Sequence, residues 1–206
     1  MVSSMISFNE TLRGKYMDAF MCKIQSAYGF SDYEIRLIRY SMTALFYDCS
    51  KLVVFGIFYY FTGDFKAFLF ALFPLILLRT KNGGIHFKRY WSCFLFTFLY
   101  LELSIHILPA FLPLPPVIVC AALPVCALID WLVGPNSLVR KKGMDEVHTK
   151  KAKVQTLLLI LLLEILCFVF PADVYLTVSF WTVVLHTIQL CITKGLKEVY
   201  FNEKTY

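Results

Sequence analysis

The chain has 206 residues, of which 59% are hydrophobic and 17% aromatic, and a mean hydropathy of +0.67. A water-exposed surface does not absorb that share of apolar residues, which excludes an ordinary soluble domain and places the chain in a bilayer. The net charge of +6 does not point to nucleic acid: the basic residues lie between apolar runs, where they act as topology signals, and no recognition motif accompanies them.

In chain order, Phe8, Leu12, Tyr16, Met17, Phe20, Met21 and Ile24 recur at helical spacing, with Glu10, Arg13, Lys15, Asp18 and Lys23 between them. This predicts an amphipathic helix within residues 1–31. It lies on the membrane surface or packs on the spans, and the charges favour the surface. Met1 to Ser31 holds no continuous apolar run followed by a small-residue cleavage site, so insertion is expected to rely on internal spans. Ser31-Asp32-Tyr33-Glu34 has the capping-box pattern and should start a second helix.

Six spans are expected, at about Met42–Phe61, Phe65–Leu78, Phe94–Leu112, Pro116–Val133, Val154–Phe170 and Val174–Thr193. Several are near the lower limit for a hydrocarbon core of roughly 30 Å. The fold class is therefore all-α: a polytopic bundle over residues 42–193 in a single membrane domain, 1–206. Asp48 and Lys51, three residues apart, read as an ion pair on one helical face, and Glu102 and His106, four apart, as an intramembrane polar pair. The end regions and the loops around Arg79–Arg89 and Arg140–Lys153 hold nearly all the lysine and arginine, while the turns at Thr62-Gly63-Asp64, Leu112–Pro116 and Pro171-Ala172-Asp173 carry almost none. By the positive-inside rule both termini are cytoplasmic.

The polar segment Arg79–Cys93 between the second and third runs is the best candidate for chemistry. Of the seven cysteines, Cys22, Cys49, Cys93, Cys120, Cys126, Cys167 and Cys191, none forms a CxxC and most lie in apolar runs as small apolar side chains. Cys93 alone has a polar neighbourhood. His86 lies seven residues earlier, about 10.5 Å along a regular helix and too far for a hydrogen bond, so a Cys–His dyad requires a break in the chain, which Gly83-Gly84 permits. If Ser92 caps the following helix, Cys93 sits in its first turn. There the helix N-terminus, Lys88 and Arg89 favour a thiolate, in a partly exposed setting. Asn82 and Glu102 are candidate orienters of His86. A zinc site on His86, Cys93, Glu102 and His106 is the competing use of the same residues, but it lacks HExxH or a close cysteine pair. A non-catalytic membrane scaffold or carrier is the other alternative.

The pattern Arg79…Gly84-x-His86-x6-Cys93 after the second apolar run, with a basic loop before the fifth, resembles the accessory gene regulator B (AgrB) family, membrane endopeptidases that process quorum-sensing peptide precursors in Gram-positive bacteria. The resemblance implies that Cys93 is the nucleophile and His86 its base, with Arg79 and Gly84 shaping the site. It also implies that Arg140, Lys141 and Lys142 contact the substrate, although Pro135 precedes this basic cluster rather than following it. The implied partner is a short amphipathic propeptide with an acidic C-terminal tail; the composition adds the lipid bilayer of the cell membrane, and a homodimer is a further candidate. No cofactor, metal or nucleic acid is expected.

Overall fold

The computed structural model describes residues 19–83, 90–135, 146–171 and 173–202. Every regular element among them is helical, with no strand. The helices are α1 (19–28), α2 (Asp32–Thr62), α3 (Phe65–Asn82), α4 (Tyr90–Glu102), a π-helical segment Leu103–Ile107, α5 (Leu108–Phe111), α6 (Pro116–Val133), α7 (Glu146–Val169) and α8 (Val174–Asn202). The chain divides into two compact units, one through Val54 and one from Phe55.

In the first unit, the described part of the expected amphipathic segment is the helix α1. It ends at Gly29, whose positive φ of 67° suits glycine and whose N–H donates to the Gln25 carbonyl at 2.9 Å. The capping box forms as its sequence pattern requires. The Ser31 N–H and hydroxyl donate to Glu34 Oε2 at 2.9 and 2.8 Å, and the Glu34 N–H donates to Ser31 Oγ at 3.3 Å. Lys51 and Asp48 pair at 2.8 Å, the lysine buried and the aspartate exposed.

In the second unit α8 is the central helix. It packs against α3, α6, α7, α5 and the π segment, and 67% of its apolar span is buried, against 28% for each of the other three long apolar helices. One core cluster includes Leu78, Leu123, Ile160, Phe180 and Val183, and a second includes Phe55, Tyr59, Phe68, Leu101 and Val178. α8 also buries Ser179, Thr182, His186, Gln189 and Thr193. Polar groups face inward here because lipid offers them no hydrogen bonds, whereas exposed Leu158, Leu162, Ile165 and Phe168 of α7 are chemically matched to lipid tails. Pro74 within α3 lacks the N–H that would bond the Phe70 carbonyl, and the Ser179 hydroxyl of α8 donates to that carbonyl at 2.7 Å.

Among the described residues, four helical stretches are long and apolar enough to cross a membrane: Tyr90–Phe111, Pro116–Val133, Thr149–Val169 and Val174–Gly195. The first two expected spans are helical but are not among these four. Asp48 and Lys51 interrupt α2, and Lys66, Arg79 and Lys81 flank the apolar run of α3. The helix α3 also runs four residues past the expected end at Leu78. It stops at Gly83, where φ is 81° and the N–H bonds the Arg79 carbonyl at 3.0 Å, so Arg79 to Asn82 are helical.

Candidate functional site

Cys93 lies on α4, whose buried face is Cys93, Thr97, Tyr100 and Leu101, spaced as one stripe of an α-helix. The Thr97 hydroxyl donates to the Cys93 carbonyl at 2.9 Å, and the Tyr100 hydroxyl donates to the Thr182 carbonyl at 2.6 Å, which fixes this face on α8. Two expectations are corrected here. Ser92 is inside a helix that is already formed at Tyr90, so it is not the cap. Cys93 is buried rather than partly exposed, because the stripe that carries it is the one turned into the bundle. None of the seven cysteines is in a disulfide.

Arg79 sits in the last turn of α3 with its Nε buried. Its positive charge bears electrostatically on Tyr100 of α4 and on His186 of α8. Gly84, His86, Arg140, Lys141 and Lys142 lie outside the described residues, as does the dyad distance. Lys153, in the basic stretch read as a topology signal, lies with Nζ 5.6 Å from the centre of the Trp131 ring, a cation–π contact.

A buried polar cluster joins three helices at the end of α3. Asn82 Nδ2 donates to Asp130 Oδ2 at 3.3 Å, and the Thr156 hydroxyl donates to Asn82 Oδ1 at 3.0 Å. These residues are 1%, 2% and 4% exposed, so hydrogen bonds within the protein serve them in place of solvent. Asn82 thus commits its side chain to α6 and α7. A carboxylate inside an apolar run was the available signal for Asp130; nothing local pointed to the cluster, whose two hydrogen bonds, both to Asn82, span 48 and 74 positions.

A second cluster forms at the other end of α3. His106 Nδ1 meets Glu102 Oε2 at 2.9 Å and its Nε2 meets Asp64 Oδ2 at 3.2 Å, while the Tyr59 hydroxyl donates to Glu102 Oε1 at 2.7 Å. The expected Glu102–His106 pair is present, and Glu102 is engaged there. This also separates the zinc alternative's residues, since Glu102 is nine positions beyond Cys93, roughly 13 Å along α4. Among the described residues, no group of three or more His, Cys, Asp or Glu is placed to hold a metal ion.

A protein-family model described as "AgrB: Accessory gene regulator B" matches residues 19–190. A "Putative AgrB-like protein" of Clostridium beijerinckii is 31% identical over 67 residues, which are 32% of this chain and 34% of the relative. The chain thus spans about a third of the length of that curated relative. No solved structure matches the chain significantly.

Proposed function

The chain belongs to the accessory gene regulator B family, and we propose that it is a membrane cysteine endopeptidase that cleaves a quorum-sensing propeptide and supports its cyclisation. The observation that carries the reading is the placement of Cys93 on the inward face of α4, the face that Tyr100 ties to α8. In this reading His86 takes the Cys93 proton. The thiolate attacks the scissile carbonyl, the amine of the acidic C-terminal tail leaves with a proton from His86, and an acyl-enzyme thioester remains. An internal thiol or hydroxyl of the precursor then attacks that thioester, closing a thiolactone or lactone ring and returning Cys93. Burial of Cys93 supports this outcome over hydrolysis, because water competes for the thioester.

The same reading has six spans, counting α2 and α3 with the four long apolar helices. Both termini are cytoplasmic, in the cell membrane of a Gram-positive bacterium. Arg140, Lys141 and Lys142 attract the acidic tail, and Arg79 and Gly84 shape the site. A second copy of the chain is a candidate partner, and the reaction uses no metal or cofactor.

The test is cleavage of a purified propeptide by the full chain in liposomes. Cys93→Ala is expected to abolish cleavage while leaving propeptide binding in place, and Cys22→Ala to leave cleavage unchanged. A chelator should have no effect and a thiol alkylator should stop the reaction. Parental cleavage by correctly inserted Cys93→Ala protein would refute the assignment.

A further inference from the structure

We propose that Asn82, Asp130 and Thr156 are positioning residues for this peptidase site: their buried hydrogen bonds hold the last turn of α3, and with it Arg79, against α6 and α7. The inference rests on the peptidase reading above. Asn82 is the last helical residue of α3, and Arg79 lies three residues earlier, one turn away on the same helix. The Gly83 N–H bonds back to the Arg79 carbonyl, so the Arg79 backbone, Asn82 and the point where the chain continues in sequence to Gly84 and His86 form one short hydrogen-bonded unit. Fixing Asn82 fixes that unit.

The bundle does not need these groups for packing. An amide and a carboxyl enclosed in an apolar interior are costly, and aliphatic contacts would hold the helices together without that cost. What apolar packing lacks is direction. Hydrogen bonds from the Asn82 amide to Asp130 on one side and from Thr156 on the other set the rotation of α3 about its own axis. That rotation sets the direction in which the Arg79 side chain leaves α3, one turn from Asn82. A misplacement of about 1 Å at a site of this kind costs on the order of 100-fold in rate.

The experiment compares Asn82→Asp, Asp130→Asn and the double swap in the full chain in liposomes, reading kcat and KM for propeptide cleavage. Asn82→Asp alone sets two carboxyl groups against each other, whereas the swap restores one amide and one carboxylate across the same gap. Asn82→Asp should lower kcat by about 100-fold with KM within about threefold, and the swap should recover at least about tenfold of that loss. Thr156→Val, which removes only one bond, should lower kcat by a smaller factor and guards against a misfolded Asn82→Asp protein. The inference is overturned if Asn82→Asp and Thr156→Val keep the parental kcat, or if the well-inserted swap recovers nothing. Either result alongside an inactive Cys93→Ala removes this inference alone, whereas an active Cys93→Ala removes the peptidase reading and the inference with it.

Discussion

At one end of α3, Asn82, Asp130 and Thr156 are closed off from solvent, whereas at the other end the His106 and Asp64 side chains are 42% and 41% exposed. Both clusters place carboxyl groups among apolar helices, yet they solve the problem differently. The Asn82 cluster is buried, and single hydrogen bonds tie Asn82 to Asp130 and to Thr156. The His106 cluster is redundant: the imidazole meets two carboxyl groups, and Glu102 also accepts from Tyr59. The difference teaches that polarity within such a bundle fixes geometry only where it is enclosed and non-redundant, because elsewhere a neighbouring group or solvent replaces what is removed.

The comparison is broken most directly by removing one carboxyl from each cluster. Asp130→Leu should cost about 1–3 kcal/mol, since the buried Asn82 amide loses its acceptor. Glu102→Gln should cost less than about 1 kcal/mol, because Tyr59 keeps an acceptor and Asp64 remains beside His106. Thermal unfolding of both variants in the same detergent measures the ranking, and the reverse order would sink the distinction.

An effect comparable to that of Asp130→Leu sharpens the same contrast at the end of α6. Gly134 donates its N–H to the Asp130 carbonyl at 2.9 Å with φ at 69° and ψ at 177°, a backbone region that favours glycine. A Cβ there would come within 2.9 Å of Lys153 Cε, the mobile end of a long side chain. Gly134→Ala should therefore destabilise by about 1–3 kcal/mol, chiefly through backbone strain. Adding Lys153→Ala should recover little of it; full recovery in the same unfolding assay would make the side-chain clash the cause.

The smallest effect belongs to an exposed cluster outside the apolar spans. The Ser31 N–H, and then its hydroxyl, hold the Glu34 carboxyl below its ordinary pKa. A depressed folded-state pKa means that the contribution is present above the unfolded carboxylate range, about 4.3, and is lost as pH falls through the folded value. Acidification should lower the protection factors of the Glu34 and Ile35 amides at the start of α2, taken relative to intrinsic exchange at each pH, without changing global unfolding, and Glu34→Gln should show little of that pH dependence. A global unfolding shift confined to Glu34 would show that the cap carries more than its local helix start.

Local spacing made part of this molecule legible. The Ser31–Glu34 box, the Asp48–Lys51 pair and the Glu102–His106 pair all join residues three or four apart, where helix geometry alone brings side chains together. The apolar runs likewise mark the four long apolar helices and the membrane class, because length and hydropathy belong to the segment itself. For the candidate site, the motif singled out Arg79 and Cys93 along with the residues outside the described chain, and so pointed to the family.

Tertiary structure decided which face of each apolar helix turns inward. A segment that is apolar on most sides has little periodic contrast from which to read its orientation, so burial of the Cys93–Thr97–Tyr100 stripe could not be taken from the sequence. The same holds for Asn82 with Asp130 and Thr156, and for Asp64 joining His106 from 42 positions away. These contacts depend on how helices distant in the chain rotate and pack, and that arrangement is set by the whole bundle rather than by any one of its segments.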